Sequence, residues 1–242
     1  MSRLPLRSVS VQPELPEEAY YAAIPAVRSL IGRPLSFSAP VTCLIGENGT
    51  GKSTLLEAVA VAAGLNAEGG TRNFRFASRE THSALYRYVR LGWNDQPDNS
   101  FFLRAESFYG LSSAIDDLNV IHAYGGRSLH TLSHGEAFLR LVQERLSGRG
   151  LYLLDEPEAA LSPTRQLTLL CELHRLVSEG AQILMATHSP LLMAYPEAQL
   201  LQTSEQGLRA VALQDTEHYR VTRRALTDPE FLPRFLGDRT GP

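Results

Sequence analysis

The sequence predicts an α/β fold, a mostly parallel sheet flanked by helices, and three stretches carry that expectation. "VTCLIGENGTGKSTLLEAVAVAAGL", from Val41, runs from an apolar strand through a Gly-rich turn into a helix. "GLYLLD" (150–155) and "QILMAT" (182–187) are continuous apolar runs of the kind buried on both faces of a parallel sheet. Each is followed by a Ser-Pro helix start, Ser162-Pro163 and Ser189-Pro190.

Taken in order, the N-terminal "RSVSVQ" alternates as an edge strand does. The helix after the Gly-rich turn has Leu55, Val59 and Ala62 on one face and Gly64 near its end. "SFFLRAESFYG" contains a further strand. Phe138, Leu141, Val142 and Leu146 recur at helical spacing, predicting a helix over about 134–147 with Gly148 as its stop. Ser133 and Glu136 at its start fit the S-x-x-E capping box. The same free amides, with the positive end of the helix dipole behind them, would equally hold a phosphate. "TRQLTLLCELHRLVSEG" supplies the helix after Ser162-Pro163. The last segment reads as a hairpin turning at Gln206-Gly207, a helix, a break at Asp228-Pro229 and a short final helix.

A chain of 242 residues with 43% hydrophobic content buries a full core, as one large domain or as one domain carrying a small lobe. The formal charge of -3 gives no global attraction to nucleic acid or anionic lipid. Cys43 and Cys171 lie in apolar stretches without C-x-x-C spacing and read as buried free thiols in a reducing cytosol. No apolar run reaches about 18 residues and the N-terminus lacks a signal-peptide core, so the expectation is a soluble, cytoplasmic protein that does not insert into membranes. No long heptad run occurs, which excludes coiled-coil arms.

Gly46, Gly51, Lys52 and Ser53 satisfy G-x-x-x-x-G-K-[ST] in the strand-turn-helix context that the motif demands. Glycines let the backbone wrap a triphosphate, amides from Gly49 to Ser53 point inward, Lys52 neutralises the outer phosphates, and the Ser53 hydroxyl is a ligand for Mg²⁺. Glu47, Asn48, Thr50 and Thr54 complete the loop assigned to the triphosphate. The strand 150–155 ends in two acids: Asp155 placed to hold Mg²⁺ through water, Glu156 to orient or deprotonate the attacking water. His188 ends the neighbouring strand, at the sheet edge where α/β proteins bind ligands.

The ordered set "GENGTGKST", "LSHGE", "LYLLDEPEAALS" and "ATHSP" resembles the ATP-binding-cassette ATPases, with Walker A, signature, Walker B with D-loop, and switch histidine in that order. The resemblance covers residues 38 to about 195 and is nearest to the AAA-family, ABC-like group that includes relatives of RecF, SMC and double-strand-break-repair ATPases. It implies a P-loop NTPase of ABC-ATPase-like architecture with an antiparallel N-terminal sheet and a small helical lobe. The domain is then 1–242, with a lobe inserted at about 69–131.

The resemblance also implies Mg²⁺-dependent ATP hydrolysis and a head-to-tail homodimer in which the signature helix of one subunit caps the γ-phosphate of the other. Ser133, Gly135 and Glu136 match the signature, and His134 departs from its usual Gly. Glu156 resembles the catalytic base, His188 the γ-phosphate switch, Lys52 the Walker lysine, and Ala160-Leu161-Ser162 the D-loop. Glu106 is the candidate for the metal-linked Q-loop position. Tyr20, Tyr21 and Phe37 are all open as adenine-stacking rings.

Residues 72 to 90 hold Arg72, Arg75, Arg79, Arg87 and Arg90 with interleaved Phe and Tyr. They read either as a nucleic-acid contact or as a solvated face. Arg127 in "AYGGRSLH" is a further candidate for phosphate. The leading expectation is an ATPase in DNA repair, recombination or defence; the alternatives are the energy subunit of a membrane transporter and a slow ATP-gated switch.

Overall fold

The computed structural model describes residues 4–71, 83–117, 122 and 128–237. In chain order the strands are β1 (Leu6–Val11), β2 (Leu35–Ser36), β3 (Val41–Ile45), β4 (Val89–Trp93), β5 (Asn99–Arg104), β6 (Gly150–Asp155), β7 (Gln182–Ala186), β8 (Gln199–Ser204) and β9 (Gly207–Ala210). The helices are α1 (Pro25–Arg28), α2 (Lys52–Ala62), α3 (Phe108–Asp117), α4 (His134–Arg145), α5 (Pro163–Ser178), α6 (Pro190–Met193), α7 (Glu217–Thr227) and α8 (Phe231–Gly237).

The central sheet has the order β5-β6-β7-β3-β8-β9. Every neighbouring pair is parallel except the β8-β9 hairpin. Side chains alternate across this sheet, so each strand feeds two cores. Phe101, Leu103, Tyr152, Leu154, Ile183 and Met185 face one side and pack with α4 and α5 through Phe138, Leu141, Leu169 and Leu173. Phe102, Leu151, Leu153 and Leu184 face the other and pack against Leu55, Leu56 and Val59 of α2 and against the second sheet. Cys43 lies in the first of these cores, on the side of α4 and α5, where burial pushes its thiol up to about 12.

The second sheet is antiparallel, in the order β2-β1-β4. β1 was expected at an edge, but both of its sides are paired, so it is the middle strand. The reason is that β4, some eighty residues downstream, supplies the second partner, and alternation within β1 reports only that one face is buried. A buried amide stitches the two sheets together: Gln182 of β7 accepts from the Leu6 N–H at 2.8 Å and donates to the Leu6 carbonyl at 2.9 Å. Within the interval 69–131, the described residues contribute β4 to the second sheet, β5 to the edge of the central sheet, and α3.

Cys171 was read as buried, yet it lies on the outer face of α5 and is exposed. Its apolar neighbours Leu169 and Leu173 point inward and carry the helix's contact with the core. No helix among the described residues is long and apolar enough to cross a membrane.

Candidate functional site

The site forms at the C-terminal edge of the central sheet, where β3, β6 and β7 end side by side. The turn after β3 depends on glycines. Gly46, Gly49 and Gly51 have φ of 141°, 79° and 88°. A Cβ on Gly46 would stand 2.1 Å from the Thr203 hydroxyl oxygen, and one on Gly51 would stand 2.4 Å from Ile24 Cγ2. Thr50 is tied to Thr203 at 2.7 Å, so the loop is anchored to β8. Lys52 is buried, and its Nζ donates to the carbonyls of Gly46 and Glu47, both at 2.9 Å, closing the turn into a ring. Burial lowers its pKa, opposed by the carboxylates of Glu156, Asp155, Glu47 and Glu158. Glu47, Asn48 and Gly49 form the exposed rim, with Thr54 one residue into α2 beyond Ser53.

Ser53 donates to Asp155 Oδ1 at 2.8 Å. The other carboxylate oxygen lies 3.4 Å from Arg104 Nε, too poorly aligned for a hydrogen bond, and that Nε has no hydrogen-bond partner. Arg104 also pairs with Glu57 at 2.8 Å and with Glu106 at 3.5 Å. Burial raises Asp155 to about 6, against the Ser53 hydrogen bond and Arg104, which both lower it. Glu106 itself stands on the rim of the cleft, its side chain 89% exposed. Among the described residues, no three His, Cys, Asp or Glu side chains gather where a metal ion could sit. An ion such as Mg²⁺ takes one or two protein oxygens and completes its octahedron with phosphate and water. The Ser53 hydroxyl and Asp155 carboxylate are hard oxygen donors of that type.

Glu156 adopts φ 49°, ψ 50°, a left-handed conformation costing a non-glycine residue of order 1–2 kcal/mol. Its N–H donates to the Ala186 carbonyl of the adjoining strand at 2.9 Å, which holds the bend in place. The bend turns the carboxylate away from β6, to 3.8 Å from His188 Nε2. The His188 backbone N–H and the Thr187 hydroxyl both donate to Glu158. Burial lowers the His188 pKa, helped by Lys52 and His218 and opposed by Glu156 and Glu158.

At the start of α4, Glu136 accepts from the Ser133 N–H at 3.0 Å and from its hydroxyl, so the half of the capping box made by the glutamate is formed. Arg165 of α5 donates to the Ser133 hydroxyl at 3.2 Å and to Glu136 at 2.9 Å. Gly135 is buried where a Cβ would meet the Ala160 carbonyl at 2.8 Å. Between them His134, edge-on to Phe108 with ring centroids 5.2 Å apart, lines a cleft of about 340 Å³. Ser53, Arg104, Glu106, Asp155, Glu156 and Ala159 line the same cleft.

Lys52, Ser53, Asp155, Glu156 and His188 therefore converge, with Glu106 at the rim, while Ser133, Gly135 and Glu136 sit at the end of α4. Tyr20 is 67% exposed; Tyr21 is buried and Phe37 packs on the second sheet. Arg72, Arg75, Arg79 and Arg127 lie outside the described residues. Arg87 lies over the Tyr86 ring at 5.8 Å, and Arg90 donates to the Arg87 carbonyl. Sequence reasoning missed Arg104, Glu158, Arg165 and His218. Motif spacing flags none of them, because each acts through a neighbour brought close only by folding.

Residues 24–107 match a family model described as "AAA domain", and residues 119–194 match one described as "AAA domain, putative AbiEii toxin, Type IV TA system". Over 167 residues, 61% of this chain and 75% of the other, the chain is 33% identical to the cytochrome c biogenesis ATP-binding export protein CcmA of Rhizobium johnstonii. The chain belongs to the ABC-type ATPases. This ABC-type ATPase is also 34% identical over 166 residues to the vitamin B12 import ATP-binding protein BtuD of Citrobacter koseri, across 60% of its own length and 65% of the other. To a putative ABC transporter ATP-binding protein of Streptomyces coelicolor it is 30% identical, and there it spans 57% of the relative's length. The SMC head domain from Thermotoga maritima superposes with a TM-score of 0.45 at 15% identity, covering 86% of this chain and 98% of that one. As an ABC-type ATPase, the protein is an ATP-binding and ATP-hydrolysing P-loop enzyme.

Proposed function

We propose that the chain hydrolyses ATP at the edge formed by β3, β6 and β7, and that hydrolysis requires a head-to-tail dimer of two copies. The observation that carries this reading is the convergence of the glycine turn with Lys52, the Ser53–Asp155 pair at 2.8 Å, and Glu156 turned out of β6 beside His188. Amides of the turn and Lys52 bind the outer phosphates. Ser53 and Asp155 would hold Mg²⁺, which when bound neutralises charge on the phosphate oxygens. Glu156 accepts a proton from the attacking water, and His188 donates toward the terminal phosphate.

The dimer reading rests on the signature. Ser133 is exposed at the start of α4, and its present partners, Arg165 and Glu136, form a solvent-exposed ion pair that water and salt screen and that is readily exchanged. In the dimer, Ser133 and the α4 amides face the partner's terminal phosphate. The first reading of the process served is repair, recombination or defence, and Arg72, Arg75, Arg79, Arg87 and Arg90 are its candidate nucleic-acid contact, with a solvated face the slightly favoured alternative for them. The second reading, a transporter energy subunit, is favoured by the printed names of CcmA and BtuD. A third, a slow ATP-gated switch, has Glu156 against it.

The test is the molar mass of Glu156→Gln by light scattering, with and without Mg-ATP. A doubling with Mg-ATP is expected. A monomer at saturating nucleotide would return Ser133 to the role of a helix cap.

A further inference from the structure

We infer that His218 is a positioning residue that fixes His188 as the tautomer protonated on Nε2, presenting an N–H donor to the nucleotide; this rests on the reading of His188 given above. His218 belongs to no motif. It lies in the first turn of α7, thirty residues beyond His188, and its Nε2 stands 3.1 Å from His188 Nδ1. The rings are tilted at 51° with centroids 5.3 Å apart, the arrangement of an in-plane nitrogen contact and not of a stack.

One of the two nitrogens must carry the shared proton, and the surroundings of His188 decide which. Its burial disfavours the imidazolium, so the ring holds a single proton. The far nitrogen, Nε2, is buried, lacks a hydrogen-bond partner and lies 3.8 Å from the Glu156 carboxylate. With the proton on Nδ1, the Nε2 lone pair would face that carboxylate, a repulsive pairing. With the proton on Nε2, an N–H faces it instead, and Nδ1 accepts from His218 Nε2. At 3.8 Å and without a hydrogen bond Glu156 only tips the balance, and the 3.1 Å hydrogen bond that Nδ1 accepts from His218 is what holds the proton on Nε2.

Two further contacts make the arrangement stiff. Glu158 accepts from the His188 backbone N–H, which fixes the residue's main chain. Thr216, fully buried, caps α7 by accepting from the Tyr219 N–H at 3.2 Å while donating to the Leu213 carbonyl at 2.7 Å, so His218 sits on an anchored turn. The switch histidine is therefore read by a helix outside the ATP motifs, and displacement of α7 would release its tautomer.

The experiment uses the full chain labelled with ¹⁵N-histidine. Nitrogen shifts of His188, assigned by loss of its signals in His188→Gln, report the tautomer directly, and steady-state ATP hydrolysis is measured on the same proteins. Wild type is expected to show His188 protonated on Nε2. His218→Ala should move it to a tautomer mixture and lower kcat about five- to tenfold, one neutral hydrogen bond's worth, with KM for ATP changed less than about twofold. His218→Gln, whose amide reaches the position of Nε2, should restore both. A His188 that stays protonated on Nε2 in His218→Ala, or is protonated on Nδ1 in wild type, overturns the inference whatever happens to turnover. A fall in kcat with the tautomer unmoved also overturns it, since that is a packing defect. Failure of the underlying reading looks different: His188→Gln itself would then hydrolyse ATP at the wild-type rate.

Discussion

Glycine at position 156 is expected to give a more stable and inactive protein than alanine there. Glu156 sits at φ 49°, ψ 50°, where any side chain with a Cβ is strained. Glu156→Ala and Glu156→Gly both lose the carboxylate and its 3.8 Å approach to His188, so their difference isolates the backbone. Relief of the left-handed strain favours the glycine by about 1–2 kcal/mol. The greater freedom of an unfolded glycine offsets about 0.5–1 kcal/mol of that. The net advantage is about 0.5–1 kcal/mol, which at a urea m-value of about 3 kcal/mol/M raises the midpoint by about 0.2–0.3 M. Urea unfolding followed by far-UV circular dichroism checks it, and the general-base role proposed for Glu156 predicts that ATP hydrolysis of both variants falls about 10²–10⁴-fold. An alanine variant as stable as the glycine would refute the claim that the Walker B bend stores strain.

Three other outcomes follow from the structure. Asp155 is raised from 3.8 to about 6 in the fold, so its protonated form is favoured there; stability is fullest below about pH 4 and is lost as pH rises through 6, by up to about 3 kcal/mol. Asp155→Asn should therefore unfold at higher urea than wild type at pH 8, and the gap should close by pH 4. Gln182→Leu strips both hydrogen bonds from the buried Leu6 backbone and should cost about 2–5 kcal/mol in the same assay, without a change in m. Gln166→Leu, which removes the donor to the Leu161 carbonyl and the acceptor of the Ser189 O–H in the interior, should cost about 2–4 kcal/mol, whereas Arg165→Ala, at an exposed ion pair, should cost much less.

The elements legible in the sequence are those whose cause is local. Helix α4 reads from its capping residues and apolar spacing, and the turn before α2 from its glycines, two of which, Gly46 and Gly51, have no room for a Cβ. The strands β6 and β7 read from unbroken apolar runs because both of their faces are covered. What escaped depends on distant partners. The pairing of β1 with β4 crosses some eighty residues, and the outward turn of Cys171 is set by which side of α5 meets the sheet. At the site, Lys52 and Asp155 are announced by their motifs. Arg104 is not, since nothing in "FFLRAES" says that the arginine at the end of β5 will stand beside the last residue of β6.

Adjacent residues in the first turn of α5 link loops that the sequence presents as separate motifs. Arg165 reaches across to Ser133 and Glu136 at the start of α4. Gln166, next to it and pointing inward, donates to the Leu161 carbonyl in the loop before α5 and accepts from Ser189 in the turn after His188. Thr187 extends the chain, donating to Glu158 and accepting from the Ser189 N–H. The exposed member of this network is cheap to rearrange and the buried members are not.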